Sequence, residues 1–199
     1  MEQIISKQEF DELMKLKGEV KGTGIKTHGK FILKEEGEEG LKKLEDTMTG
    51  LGYPIKFREV KATTLYPFGV EAVILLAIKR LFNYDDKKFQ EMGRFHAKLS
   101  LIIRLFMKYF VSLERVSKEG PEMWRRYFTL GDIEVVEIDE EKRHIIFRVR
   151  NFQFHPLHCQ ILRGSIPTII QMIVGSKVTS EETKCVYRGD EYHEFLLKW

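Results

Sequence analysis

The first half of the chain carries apolar side chains at helical spacing, interrupted by glycines. Residues 7–16 form one short pattern of this kind, and residues 25–35 and 38–51 form two more that meet at Gly37. The clearest pattern covers residues 70–82, where apolar side chains recur at i, i+3, i+4 and i+7. We expect a helix in each of these stretches.

A longer apolar pattern predicts a helix over about residues 87–114. Its apolar side chains cover more than one face, which indicates a helix that is largely buried or that packs against a partner chain. Gly120-Pro121 is expected to end this segment. Pro121 then suits the start of a short helix that carries Trp124 and Tyr127.

The last third of the chain changes to the alternating pattern of β-strands. Residues 133–149 predict one hairpin, and residues 183–198 predict a second one with its turn at residues 188–190. Between them, residues 157–174 predict a helix that ends at Gly175. The expected fold class is α+β, with N-terminal helices packed on a C-terminal antiparallel sheet.

Composition narrows the class of protein. The 199 residues suffice for one well-buried domain, and a net charge of +3 argues against a broad nucleic-acid-binding surface. No apolar run reaches the ~18 residues of a membrane span, and the N-terminus lacks the features of a secretory signal. Two cysteines are too few for a disulfide scaffold, so we expect a cytoplasmic protein with reduced thiols.

The C-terminal part of the chain holds the sharpest chemical signal. Both cysteines lie there, together with glutamate and histidine side chains. Thiolate, imidazole and carboxylate groups together are the ligands of a tetrahedral zinc site. No nucleophile elbow, phosphate-binding glycine loop or metalloprotease helix occurs, so we do not expect an enzyme.

A group of aromatic residues follows the middle of the chain. Ring-rich walls suit apolar or aromatic ligands, so these side chains are candidate ligand-binding residues, with ordinary core packing as the alternative. His96 is expected to pack or titrate without a special role, and His28 and His144 have no obvious partner in sequence. The candidate ligand-binding residues are Phe106, Tyr109, Phe110, Trp124, Tyr127 and Phe128.

Two sets of residues resemble known families. The C-terminal set resembles the 4-vinyl-reductase domain, which also serves as the aromatic-effector sensor of some bacterial transcriptional activators. The N-terminal set resembles the opening of haem nitric-oxide/oxygen-binding (H-NOX) proteins, a related family. The first set is Cys159, Gly164, Glu182, Cys185, Gly189-Asp190, Phe195 and Trp199; the second is Lys21-Gly22-Thr23, Phe31 and Gly37-Glu38-Glu39-Gly40-Leu41.

The resemblance implies a ligand-binding sensor fold with a cavity among its helices, commonly in a homodimer. It covers residues 21–199 as one domain and leaves residues 1–20 as an N-terminal extension. It also implies a zinc site at Cys159, Glu182, Cys185 and His193. This chain carries histidine at the last position, where the family carries cysteine, and histidine is also a zinc donor.

The parity of the second hairpin gives this zinc hypothesis a geometric test. If residues 188–190 form a three-residue loop, Cys185 lies directly opposite His193. Glu182 would then precede the strand, and Cys159 would come from the neighbouring helix. Four protein donors would make the metal structural.

Three alternatives to this site stay open. The thiols of Cys159 and Cys185 can pack as small apolar groups without a metal. They can also form a disulfide, which cytosolic reduction opposes. Either His155 or His158 can serve as a substitute ligand.

The resemblance also bears on haem. In the H-NOX relatives a proximal histidine follows the central helices, where this chain reads Leu113-Glu114-Arg115, and no histidine lies between His96 and His144. The tyrosine-serine-arginine clamp for the propionates is absent as well. No haem is therefore expected.

Together these features predict a cytoplasmic, homodimeric sensor or carrier of a small apolar or aromatic molecule, without enzymatic activity. A separate signalling partner protein would carry its output, and neither nucleic acid nor membrane is an expected partner. Two alternatives stay open. One is an assembly or scaffold protein of the trafficking-subunit type with a filled pocket, and the other is an accessory protein of tetrapyrrole metabolism.

Overall fold

The computed structural model describes residues 4–99 and 112–199 of the protein. Helices dominate its N-terminal half, and antiparallel strands dominate the C-terminal third. A short two-stranded antiparallel ladder also lies in the N-terminal part. The elements in chain order are α1 (Lys7–Leu13), β1 (Glu19–Lys21), α2 (Gly22–Gly50), β2 (Leu65–Pro67), α3 (Phe68–Phe82), α4 (Asp86–Leu99), α5 (Leu113–Tyr127), β3 (Asp132–Asp139), β4 (His144–Arg150), α6 (Pro156–Val174), β5 (Thr179–Lys184) and β6 (His193–Lys198).

The N-terminal helices agree with the apolar patterns. Helix α2 contains a break at Gly37, whose φ of 71° and ψ of −169° are not helical. A side chain would strain such a backbone, so glycine at this position separates the two predicted helices. Helix α3 is almost entirely buried and ends at Asn83 in the left-handed conformation.

The predicted long helix is wrong in its C-terminal part. Helix α4 covers residues 86–99, and residues 100–111 lie outside the described part of the chain. Leu113 begins a separate helix, α5, whose N-terminal amide at Arg115 donates to the Ser112 hydroxyl. This helix passes through Gly120 and Pro121, so Pro121 neither ends one helix nor starts another.

The C-terminal sheet has the strand order β3-β4-β6-β5, with antiparallel neighbours throughout. Its inner face alternates along the strands, because every second side chain of β4 and β6 points to the core. In the ladder between these strands Phe147 pairs with Phe195, and Val149 pairs with His193. His193 therefore lies on the same buried face as Phe195.

Helices α4 and α6 approach each other closely at two glycines. A Cβ atom on Gly93 would lie 2.1 Å from the carbonyl oxygen of Ile161, and one on Gly164 would lie 2.0 Å from that of Gln90. Both distances are far below van der Waals contact, so only glycine permits this packing. The close approach fixes α6, which carries Cys159, against the N-terminal helices.

The predicted α+β fold class is confirmed. One apolar core runs from the helices to the inner face of the sheet, and its fully buried rings include Phe31, Phe57, Phe68, Phe89 and Phe195. Across residues 4–99 and 112–199, none of the helices combines the length and the apolar character that crossing a bilayer requires.

Candidate functional site

Four metal-ligand side chains converge where α6 meets the last two strands. The Cys159 thiol, the Glu182 carboxylate, the Cys185 thiol and the His193 imidazole are all buried, and their donor atoms lie within 4.8 Å of one another. The Cys159 sulfur lies 3.8 Å from His193 Nδ1, and that nitrogen lies 3.2 Å from Glu182 Oε1. Zinc bond lengths of ~2.3 Å to sulfur and ~2.0 Å to nitrogen place two such ligands ~3.5 Å apart. The arrangement is therefore close to a tetrahedral donor set.

A hydrogen bond orients the imidazole for this role. His193 Nε2 lies 3.0 Å from the carbonyl oxygen of Phe152, an atom that can only accept a hydrogen bond. In the neutral ring Nε2 therefore carries the hydrogen, and the Nδ1 lone pair faces Glu182 and Cys159. Histidines that bind metals are commonly oriented through their other ring nitrogen in this way.

The two thiols are free and buried. Burial raises the pKa of the Cys159 thiol well above its usual value, and the neighbouring Glu182 and Cys185 add to the effect. Burial likewise raises the pKa of Cys185. Both groups are therefore protonated thiols in the absence of a cation, and a bound metal would displace their protons.

The hairpin that carries Glu182, Cys185 and His193 differs from the prediction. Strand β5 begins at Thr179 and includes Glu182, which was expected before the strand and instead pairs with Phe195. The strand ends at Lys184, and a short 3-10 turn over Val186–Arg188 replaces the predicted three-residue loop. The sequence pattern missed this turn because the loop is longer than a tight hairpin turn.

Cys185 and His193 nevertheless meet. Lys184 pairs with Glu194, so Cys185 and His193 are the next positions on the two chain segments, just beyond the ladder. The Cys185 amide donates to Asp190 Oδ2 at 2.8 Å, which closes the loop and holds the thiol at its base.

The alternative ligands lie elsewhere. His155 is the N-cap residue of α6, and its side chain accepts a hydrogen bond from the Leu157 amide. His158 is not part of the donor set either. It lies on α6, it is 4% exposed, and its ring packs edge-on against Phe154 and Phe128.

A cavity of about 170 Å³ lies between the helices and the sheet. Its wall is mainly aliphatic and aromatic. Residues of α5, β3 and α6 supply much of this apolar wall, including Val116, Met123, Ile133, Ile161, Leu162, Ile166 and Ile170. An interior space of this composition suits a small apolar molecule.

Three of the six predicted ligand-binding residues line this cavity: Trp124, Tyr127 and Phe128. The indole Nε1 of Trp124 donates to the carbonyl oxygen of Leu130, so the ring presents an apolar face. The other three predicted residues, Phe106, Tyr109 and Phe110, lie outside the described residues.

The cavity also has a polar end that the sequence did not reveal. Glu71, His96 and His158 line it, and Glu71 Oε1 lies 2.7 Å from Nε2 of His28 behind the wall. His28 therefore has a buried partner, although none was evident in sequence. Burial lowers the pKa of His28 to about 3 and raises the pKa of Glu71, so both side chains favour their neutral forms.

Two sequence signals could have pointed to this polar end, although neither was used. Glu71 is a carboxylate inside the otherwise apolar start of α3, and His28 follows Ile25 at helical spacing on the buried face of α2. A polar residue within an apolar stripe requires a partner. The partner itself could not be named, because it lies 43 residues away in the chain. His144 also has a partner, since its Nε2 lies 2.9 Å from Glu137 Oε1 across the first hairpin.

The described chain is thus an α+β domain in which helices and an antiparallel sheet border an apolar cavity with a polar end. Its fold is that of H-NOX domains. A mutant H-NOX protein from S. oneidensis in the Fe(II) state aligns with a TM-score of 0.69 at 14% identity, over 89% of this chain and 95% of that chain. An Fe(II) unliganded H-NOX protein from K. algicida gives 0.63 at 10% identity, over 89% and 95%.

A third solved structure, described as a study of haem redox potential and porphyrin distortion, gives a TM-score of 0.57 at 12% identity, over 90% of this chain and 99% of that chain. No protein-family model matches the sequence, and no curated protein matches it. These likenesses confirm the expected H-NOX-type fold and establish nothing further.

The cavity does not fit a haem group. Pockets for drug-sized ligands are typically ~300–1,000 Å³, and a porphyrin is at least drug-sized, whereas this cavity measures about 170 Å³. The described part of its lining contains no lysine or arginine to pair with propionate carboxylates. His96 and His158 could bind iron through their ring nitrogens. The mismatch with haem therefore lies in the volume of the cavity and in the charge of its described lining. The sequence predicts no haem, whereas the descriptions of the solved structures above name Fe(II) or haem. The absence of haem is therefore part of the function proposed below.

Proposed function

We propose that this protein is a non-enzymatic binding domain for a small, mainly apolar molecule that occupies the cavity between the helices and the sheet. The cavity of about 170 Å³ is the observation that carries this proposal. An apolar cavity of ~150 Å³ in another protein stays dry and binds benzene, so the volume here is enough for a single ring or a short chain. We do not expect haem as the ligand, because the cavity is small for a porphyrin and the described part of its lining holds no lysine or arginine.

The same cavity favours this function over the main alternative, which is an assembly protein. An assembly protein of the trafficking-subunit type would fill its interior with side chains. Here side chains such as Val116 and Ile166 leave space between α5 and α6. Nothing in the described lining of the cavity favours a role in tetrapyrrole metabolism over simple binding.

A structural zinc ion is the second part of the proposal. Cys159, Glu182, Cys185 and His193 would hold it and connect α6 to β5 and β6. Because α6 also lines the cavity, the ion would stabilise the wall against which the ligand packs. We expect about one zinc per chain in purified protein, and Cys185→Ser to reduce this content, as measured by elemental analysis.

Another molecule would recognise the ligand-bound form through its changed helix packing. The ligand contacts helices from both halves of the fold, so its binding favours one packing of those helices over another. The change in helix packing would alter the surfaces of this chain that contact a separate signalling partner and, in a homodimer, a second copy of the chain. Sedimentation analysis with and without ligand tests the dimer.

A cavity-filling substitution tests the binding function. We expect small cyclic hydrocarbons and alcohols to raise the melting temperature of the wild type in thermal-shift experiments. Val116→Phe fills the cavity and removes this effect. Val136→Phe is the matched control, because Val136 is 43% exposed on β3 and leaves the cavity unchanged. Equal ligand effects on both variants would contradict the proposal.

A further inference from the structure

The polar end of the cavity contains buried atoms that lack hydrogen-bond partners. Within the described residues, Glu71 Oε2, His96 Nε2 and both ring nitrogens of His158 have none. Glu71 and His158 are 2% and 4% exposed. A buried polar atom left without a partner costs ~1–3 kcal/mol, so such a group in a folded protein calls for an explanation.

The contacts of His28 determine where the protons lie. His28 Nδ1 lies 3.1 Å from the Met92 sulfur, which has no proton to donate. Both contacts of the neutral ring are attractive only if Nδ1 carries the hydrogen and its N–H donates to the sulfur. In the neutral ring, the other nitrogen is then an acceptor.

The proton on Glu71 follows from this assignment. His28 Nε2 accepts, so Glu71 Oε1, which is 2.7 Å away, must donate and carry a hydrogen. The pKa shifts agree with this proton placement, since burial raises the pKa of Glu71 and lowers that of His28 to about 3. Glu71 is therefore a neutral carboxylic acid, and Oε2 is its carbonyl oxygen.

This carbonyl oxygen requires a donor. A hydroxyl or N–H group in the cavity would supply one. His158 has one N–H and one acceptor nitrogen in its neutral form, so it can complete the contacts of a group that both donates and accepts. His96 Nε2 lies on the same wall.

We propose that the ligand is a small neutral molecule with an apolar body and one hydroxyl or N–H group, which donates to Glu71 Oε2 and contacts His158. This inference rests on the proposed function and specifies its ligand. The body of the ligand lies against the aliphatic side chains of α5 and α6. Its polar group satisfies the buried atoms at the far end of the same cavity.

The same groups select against anions. A carboxylate offers no hydrogen to the Glu71 carbonyl oxygen, and within the described lining no lysine or arginine offsets its charge. Burial of an unpaired charge costs far more than burial of a hydroxyl that is hydrogen-bonded. A purely apolar molecule fits the body of the cavity but leaves Glu71 Oε2 and His158 without partners.

Three probes of similar size test the polar end: cyclohexanol, methylcyclohexane and cyclohexanecarboxylate. By calorimetric titration of the full chain, we expect cyclohexanol to bind about tenfold more tightly than methylcyclohexane, because it satisfies an otherwise unpaired acceptor. Cyclohexanecarboxylate at neutral pH should bind more weakly than either.

Substitutions at Glu71 test the proton assignment. In Glu71→Gln the amide nitrogen donates to His28 and the amide oxygen replaces Oε2, so cyclohexanol binding should stay within about twofold. Glu71→Met has a similar shape but no acceptor, so the preference for cyclohexanol over methylcyclohexane should disappear. Glu45→Met is the matched control, since Glu45 is a buried glutamate outside this cavity.

His158→Phe provides a second, independent measurement if Glu71→Met does not fold. It keeps an aromatic ring among Phe128 and Phe154 and should reduce cyclohexanol binding while leaving methylcyclohexane binding intact. Equal binding of these two probes by the wild type would overturn the inference alone. Failure of both probes to bind would overturn the proposed function as well.

Discussion

The Nε2 atom of His193 lies 3.0 Å from the carbonyl oxygen of Phe152, on the segment that connects the sheet to α6. This contact turns the other ring nitrogen toward Cys159 and Glu182. The donor set is thus held by hydrogen bonding as well as by the strands. Such support orients a ligand before the metal binds.

Substitutions at His193 should follow zinc chemistry. Cysteine is an equally good zinc donor, so His193→Cys should retain about one zinc per chain, whereas His193→Ala should lose most of it. The alanine variant should also melt at a lower temperature, because structural zinc contributes directly to folding. Elemental analysis and thermal unfolding check both points. Glu181→Ala, on the exposed face of β5 next to Glu182, is the control; a metal content that is equal in all three variants would contradict the zinc site.

The close packing of α4 on α6 should be intolerant of any side chain at Gly164. Gly164→Ala places a Cβ atom 2.0 Å from the Gln90 carbonyl oxygen, so the helices must separate. We expect a loss of about 3 kcal/mol in the free energy of unfolding, measured in urea.

Gly50→Ala is the matched control for this change. Gly50 is the last residue of α2, and a Cβ atom there meets nothing within 4 Å. Its effect should stay within about 1 kcal/mol, with alanine favoured by helix propensity. Similar losses at both glycines would show that the helix contact is not responsible.

Stability should fall in acid because His28 is buried in its neutral form. Burial lowers its pKa from 6.5 to about 3, so between these values the unfolded chain binds the extra proton. Stability is therefore fully present above pH ~6.5 and decreases as the pH falls toward 3.

The variant His28→Gln isolates this effect. Below pH ~6, the wild type should lose up to ~1.4 kcal/mol per pH unit relative to the variant. The raised pKa of Glu71 acts with the opposite sign, but Glu71 is present in both proteins. Urea unfolding from neutral pH to pH ~5 measures the difference, and parallel curves for the two proteins would refute it.

Haem addition should leave the protein unchanged. The cavity is too small for a porphyrin, and its described lining has no cation for the propionates. Titration with ferric and ferrous haem should give the absorbance of free haem without a saturable shift. A stoichiometric complex that depends on His96 or His158 would show that the cavity opens far enough to admit the group.

The sequence indicated most of the helices and strands, because apolar residues recur about every 3.6 residues in a helix and every second residue in a strand. Gly37 and Gly175 were correctly identified as breaks, since both adopt backbone angles that favour glycine. The prediction failed at Gly120-Pro121, where local propensity indicated a boundary inside α5. Proline is unfavourable within a helix but can be tolerated there, and propensity alone does not decide the outcome.

The metal-ligand set could be predicted in part. Residue chemistry, hairpin parity and the family resemblance together identified Cys159, Glu182, Cys185 and His193, and the structure brings them together. The details of the loop were wrong, because a 3-10 turn and a bulge in β5 are not visible as a period of two.

Local pattern by itself determined most of the secondary structure, the α+β class and the ligand types available near the C-terminus, because these depend on neighbouring residues. Only the tertiary structure decided that Glu71 meets His28, that His158 faces an apolar cavity, and that α4 approaches α6 at two glycines. These contacts join residues far apart in the chain. They depend on how whole helices pack against each other, and the spacing of apolar residues within one segment carries no information about that packing.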